Sequence, residues 1–185
     1  MMRNRTELAK YFGELGYKTG AEIGTCYGTY AEKLYQNIPD LKLIAVDNWD
    51  NPETTRRERG SKVPVETQAR IKLAPYDVII VKKSSMEAAK EIPDESLDFV
   101  YIDADHTYES VRDDIREWSK KVRPGGIVSG HDYYEFRSGK GGIIRAVDEY
   151  VKKYGYELHL TAWDKENPAR DERQPSWWFF KEAPN

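Results

Sequence analysis

Apolar positions along the chain fall into two alternating patterns. Leu41–Asp47 (LKLIAVD), Asp77–Lys82 (DVIIVK), Leu97–Asp103 (LDFVYID) and Ile127–Gly130 are short apolar runs. Such runs suit strands covered on both faces. Thr19–Gly24 reads as a strand ahead of them. Between the runs, apolar residues recur at three- and four-residue spacing. Ala31, Leu34, Tyr35 and Ile38 carry a helix that starts at Tyr27. Val65–Leu73 predicts another. Tyr108, Val111, Ile115, Trp118 and Val122 predict a third, ended by Pro124-Gly125-Gly126. Ile143, Ile144, Val147, Val151 and Tyr154 predict a long last helix closed by Gly155. Arg5–Leu15 forms an N-terminal helix ended by Gly16, and Met86–Glu91 a short one stopped before Pro93. Tyr156–Trp163 and Trp177–Lys181 read as strands with no helix between them, so they pair antiparallel. The predicted fold is α/β: one Rossmann-like, doubly wound, mostly parallel sheet of about seven strands with the last strand antiparallel.

The chain's 185 residues fit one domain over 1–185, with residues 1–18 as its N-terminal helix. Asn48–Lys72 is polar at its start, holds Pro52 and Gly60, and is expected to act as a lid. Its basic run, Arg56, Arg57, Arg59 and Lys62, reads as a solvated loop or as a recogniser of an acidic acceptor. The net charge of −3 gives no long-range attraction for nucleic acid. A single cysteine, Cys26, excludes an internal disulfide. No signal-peptide pattern opens the sequence and no run is long enough to span a membrane. These features lead to the expectation of a cytoplasmic protein without nucleic-acid or membrane partners. Self-association is left open, a homodimer included.

In a sheet of this kind ligands bind beyond the carboxyl ends of the strands, where the strand order reverses. Three strand ends carry candidate chemistry. The first is Glu22-Ile23-Gly24-Thr25-Cys26-Tyr27-Gly28. Gly24 lets the chain turn sharply and lets a ligand approach the backbone. The middle glycine of a dinucleotide loop is replaced by Cys26, and Glu22 suits a cationic ligand better than a pyrophosphate. Asp47 ends the next strand and can accept hydrogen bonds from ribose hydroxyls. Asn48 and Trp49 follow it, Trp49 either lying against an adenine or packing over the loop. The other two ends are Asp103-Ala104-Asp105-His106 and His131-Asp132-Tyr133. Adjacent strands would bring Asp103, His131 and Asp132 to one rim, a donor set for Mg²⁺, Mn²⁺ or Zn²⁺. Alternatively Asp103 contacts the cofactor and His131-Asp132 caps its turn. His106 is either a general base or a residue at the start of the next helix.

Glu22-Ile23-Gly24 through Gly28, followed by Asp47, resembles motifs one and two of the class I S-adenosylmethionine-dependent methyltransferases. The form E-I-G-x-x-x-G is similar to a subgroup of small-molecule methyltransferases. The resemblance runs from about Lys18 to Tyr150. It implies S-adenosyl-L-methionine as cofactor, held by Glu22, Gly24, Thr25, Cys26, Gly28, Asp47, Asn48, Trp49 and Asp103. It also places Ser84-Ser85-Met86 around the adenine, with Ser85 and Met86 as cofactor-binding residues. The rim resembles that of the cation-dependent O-methyltransferases. In that likeness Asp103, His131 and Asp132 match the metal ligands, and His106 matches the catalytic lysine position. The expected activity is methyl transfer to a hydroxyl of a small-molecule acceptor, metal-assisted, with His106 and Asp103 as catalytic residues. A nicotinamide-dependent oxidoreductase and a non-catalytic nucleotide-binding protein are the rival readings.

Overall fold

The computed structural model describes residues 1–50, 63–136 and 141–182. They form helices α1 (Arg5–Glu14), α2 (Thr29–Asn37), α3 (Val65–Leu73), α4 (Ser85–Ala89), α5 (Tyr108–Lys121) and α6 (Ile143–Tyr154). The strands are β1 (Thr19–Ile23), β2 (Lys42–Asp47), β3 (Val78–Lys82), β4 (Leu97–Ile102), β5 (Val122–Gly130), β6 (His159–Leu160) and β7 (Trp177–Phe180). A short 3₁₀ turn covers Arg170–Glu172. Local chemistry fixes the helix starts. The Asn4 side chain accepts from Glu7 N–H, Ser84 and Glu87 form a reciprocal capping box, and the Thr107 hydroxyl accepts from Ser110 N–H.

The sheet runs β3-β2-β1-β4-β5-β7-β6. β1 to β5 are parallel, while β7 is antiparallel to both β5 and β6. The predicted α/β sheet and its antiparallel end are therefore observed. Strand order reverses beside β1, so a crevice opens beyond the carboxyl ends of β1, β2 and β4. Both faces are covered. Ile115, Trp118, Val128 and Val147 centre the core on one face, and Leu8, Phe12, Leu34, Phe99 and Tyr101 the core on the other.

Three boundaries differ from the sequence reading. Pro124-Gly125-Gly126 does not end α5; α5 stops at Lys121 and these residues lie within β5. There Gly125 N–H donates to the Lys181 carbonyl and Lys181 N–H to the Gly126 carbonyl, while the β4 register shifts between Leu97 and Phe99. The short helix begins at Ser85, because Ser84 caps it, and stops at Ala89. The long strand expected over Tyr156–Trp163 shrinks to His159–Leu160. Beyond it the chain leaves the sheet, and Ala162 N–H donates to the Met2 carbonyl. Of the expected lid, residues 51–62, with the whole basic run, lie outside the described residues.

Gly20 shows how closely the sheet is packed. A Cβ there would stand 2.2 Å from the Phe99 ring, which is itself stacked on Phe12 at 4.6 Å. Gly20→Ala is expected to lower stability by about 1–3 kcal/mol through overpacking. Urea unfolding checks this; an unchanged midpoint would contradict it.

Candidate active site

The first loop is pressed into the crevice by glycine geometry. Gly24 has φ +94°, and a Cβ on it would lie 2.1 Å from the Asp103 carbonyl oxygen. Its N–H donates to the Val46 carbonyl at 2.8 Å, while Asp103 N–H donates to the Ile23 carbonyl at 2.7 Å. The loop after β1 thus touches the ends of both β2 and β4. Asp47 then fastens two loops together. Its Oδ2 accepts from Cys26 N–H and its Oδ1 from Trp49 N–H, each at 2.7 Å. Each oxygen retains a lone pair for a ligand hydroxyl.

The resulting cleft has a volume of about 1010 Å³. Its wall brings together Glu22, Gly24, Thr25, Cys26, Asp47, Asn48, Ser85, Met86, Asp103, His106, His131 and Asp132. Gly28 and Trp49 are set apart from it. Gly28 is the left-handed N-cap of α2, packed on Leu73. Trp49 has φ +52°, and its indole N–H donates to the Cys26 carbonyl at 2.9 Å, so the ring braces the loop.

Negative charge dominates the rim. Burial raises Glu22 to about 8, with the Thr25 hydroxyl and Arg5 offsetting part of that effect. Glu22 Oε2 is buried with no hydrogen-bond partner among the described residues. Arg5 reaches the same rim from α1 and was not foreseen as a site residue. Its Nη1 lies 3.3 Å from Asp103 Oδ2, its Nε 3.3 Å from Glu172 Oε1, and its Nη2 pairs with Asp171. It also stands over the Tyr30 ring at 4.9 Å. Burial opposes the guanidinium charge, but Tyr101, Asp103, Asp171 and Glu172 outweigh it and hold Arg5 protonated.

Asp103 and Asp132 face both histidines. His131 Nδ1 lies 3.1 Å from Asp132 Oδ1 and 3.7 Å from Asp103 Oδ2. His106 Nε2 lies 3.4 Å from Asp132 Oδ2 and 3.7 Å from Asp103 Oδ1. Burial pushes Asp103 up, yet His131, His106 and Arg5 hold it below its usual range. Burial likewise disfavours charge on His106, but Asp103, Asp132 and Asp105 raise its pKa. One donor atom each from Asp103, His131 and Asp132 fall within 4.8 Å of one another. The buried His131 Nε2 has no hydrogen-bond partner among the described residues. Two carboxylates and an imidazole at this spacing fit a divalent ion, with Arg5 taking one oxygen of Asp103.

A family model, described as a methyltransferase domain, matches residues 21–133. The chain belongs to this methyltransferase family. Its matched segment holds every strand end described above except those of β6 and β7. The O-methyltransferase from Bacillus cereus in complex with SAH superposes with a TM-score of 0.67 at 14% identity, covering 96% of this chain and 80% of that one. A protein from Clostridium thermocellum described as an rRNA methylase gives a TM-score of 0.70 at 15% identity, covering 100% of this chain and 99% of that one. These likenesses establish the class I methyltransferase fold. The uncharacterized protein y4gI of Sinorhizobium fredii is 26% identical over 159 residues, which are 78% of this chain and 17% of that protein. The chain spans about a sixth of the length of that curated relative.

The buried Glu22 carboxyl makes stability depend on pH with a definite sign. The folded protein keeps this proton up to about 8, against an ordinary value of 4.5. Stability tied to the group is therefore full below 4.5 and drains away as pH rises to about 8. Glu22→Gln is expected to flatten that decline and to be more stable than the wild type at alkaline pH. Urea unfolding across this range checks it; equal pH slopes in both proteins would contradict it.

Proposed function

We propose that the protein transfers the methyl group of S-adenosylmethionine to a hydroxyl of a small-molecule acceptor. The observation that carries this reading is the buried, unpartnered Glu22 Oε2 beside the Gly24 cradle. Burial keeps the Glu22 proton in the free protein, and a cationic ligand beside it would draw the group into its carboxylate form and supply the missing partner. The amino acid end of the cofactor carries an ammonium that meets this demand, and in this reading Asp47 accepts from its ribose hydroxyls. When bound, the cofactor supplies a sulfonium methyl that is already electrophilic. The protein's task is then mainly alignment and deprotonation of the acceptor.

His106 is the base in this reading. The acidic pair around it favours its protonated form. A positive charge bound at the rim would weaken that effect and free the imidazole to take a hydroxyl proton. Asp103, His131 and Asp132 would hold a divalent ion, which would acidify and orient the acceptor hydroxyl. The carboxylates along the cleft repel a phosphate backbone, so a small molecule suits it better than RNA. No helix among the described residues is long and apolar enough to cross a membrane. We place the activity in one cytoplasmic domain.

Two measurements test the proposal. Calorimetry is expected to show S-adenosylhomocysteine binding, weakened by about 1.5–3 kcal/mol in Asp47→Ala. Tighter binding of NADH than of S-adenosylhomocysteine would contradict the cofactor assignment. With an acceptor identified from a metabolite panel, His106→Ala is expected to lower kcat by about 10²–10⁴-fold. EDTA and Asp132→Ala should each depress turnover, with divalent ion restoring only the wild type. Full activity in EDTA, with no ion found by metal analysis, would remove the ion from the account and leave His106 as base.

A further inference from the structure

One edge strand of the sheet is apolar and poorly covered. β3 reads Val78-Ile79-Ile80-Val81-Lys82, rich in the β-branched residues that favour strands, yet none of its residues is buried. Ile79 is 61% exposed, whereas β1 and β4 each bury all but one residue. The devices that usually blunt a sheet edge are missing along its length. It holds no proline, and its register with β2 runs from Leu43 opposite Val78 to Asp47 opposite Lys82 without a bulge. Its one charge, Lys82, stands at the end, with Nζ 2.6 Å from Glu66 Oε2. The other edge of the sheet, β6, has two residues only. Among the described residues no strand lies beyond β3, so alternate N–H and C=O groups of its backbone point outward.

We propose that β3 is a self-association surface: two copies of the chain pair their β3 strands antiparallel about a twofold axis at Ile80, joining two seven-stranded sheets into one. The residues in and around the strand select this occupant. In a twofold pair, residues opposite one another lie on the same face of the sheet in both copies, so the axis passes through a residue and not between two. Centred on Ile80, the pairing sets Ile79 against Val81 of the partner subunit and Val78 against the stem of Lys82 of the partner subunit. It also sets Asp77 against Lys83 of the partner subunit, and this pair occurs twice. An axis at Ile79 would instead oppose Asp77 to an apolar Val81 and leave Lys83 unmatched. Asp77 is exposed and makes no ion pair among the described residues. Lys83 pairs with Glu91 and is itself exposed, so it can take a second carboxylate. An apolar strand with opposite charges just beyond its two ends therefore complements itself, which an unrelated extended peptide need not do. Lys83 lines the cleft beside Ser84, Ser85 and Met86. Antiparallel pairing thus brings Asp77 of the partner subunit to the border of each cleft, and the two clefts open at opposite ends of the joined sheet.

Light scattering after size exclusion, run on the full chain over a micromolar concentration series, reads the outcome. The wild type is expected at twice the 21.5 kDa of one chain. Ile79→Lys puts a charge against an apolar residue on each side of the axis and should run as a monomer. The Ile79 side chain is exposed, so the fold is retained, which circular dichroism checks. Asp77→Lys and Lys83→Asp should each be monomeric alone, because each sets like charges opposite one another twice. Mixed in equal amounts, the two variants restore both pairs and should form a dimer again. Association through another surface would not depend on mixing. A wild type that stays monomeric throughout the series overturns the proposal and leaves the edge to another occupant, such as an extended peptide. A dimer that survives Ile79→Lys and both charge variants overturns it too, as does a failure of the two folded charge variants to associate when mixed.

Discussion

The structure depends on how negative charge is tolerated at the carboxyl rim of the sheet. Asp103 and Asp132 line the cleft beside the buried Glu22 carboxyl, and Arg5 links Asp103 to the buried Glu172. Left alone, such a cluster would oppose folding. Arg5 answers part of it from within the chain. It joins the end of β4 through Asp103 to the 3₁₀ turn through Asp171 and Glu172. Lys33 adds a second cation 2.9 Å from Glu172. One guanidinium therefore ties the N-terminal helix, the central sheet and the C-terminal segment around a single site.

The compensation is incomplete, and the incompleteness is what makes the rim a binding site. Glu22 keeps an unpaired oxygen. Asp47 spends one lone pair of each oxygen on backbone N–H groups and keeps the other for a ligand. Their spacing follows from strand order, since β1, β2 and β3 lie side by side. A ligand with a cationic end and a ribose would meet the two in turn. The methyltransferase family to which the chain belongs is consistent with that sequence of demands.

Much of this was legible in the sequence, for identifiable reasons. LKLIAVD and DVIIVK form strands as their apolar runs predict, but DVIIVK lies at the sheet edge with Ile79 61% exposed rather than covered on both faces, and Val65–Leu73 is helical as its spacing predicts. Asp103 and His131-Asp132 converge because β4 and β5 are neighbours, which the alternating topology implied. Arg5 was not legible as a site residue. It shares the inner face of α1 with Leu8, Ala9 and Phe12, a signal that a charge was to be buried. Its partners Asp171 and Glu172 lie more than 160 residues away, and no local pattern announces them. The bracing role of Trp49 depends on left-handed backbone at both Cys26 and Trp49, which side-chain identity did not predict.

The most direct test of the account is a crystal structure of the protein with S-adenosylhomocysteine. The account predicts the ligand ammonium at Glu22 Oε2, the ribose hydroxyls at Asp47, and the base beside Ser85 and Met86. A ligand lying in the opposite direction, with its base at the Asp103 and Arg5 end and its ammonium near Ser85, would contradict it.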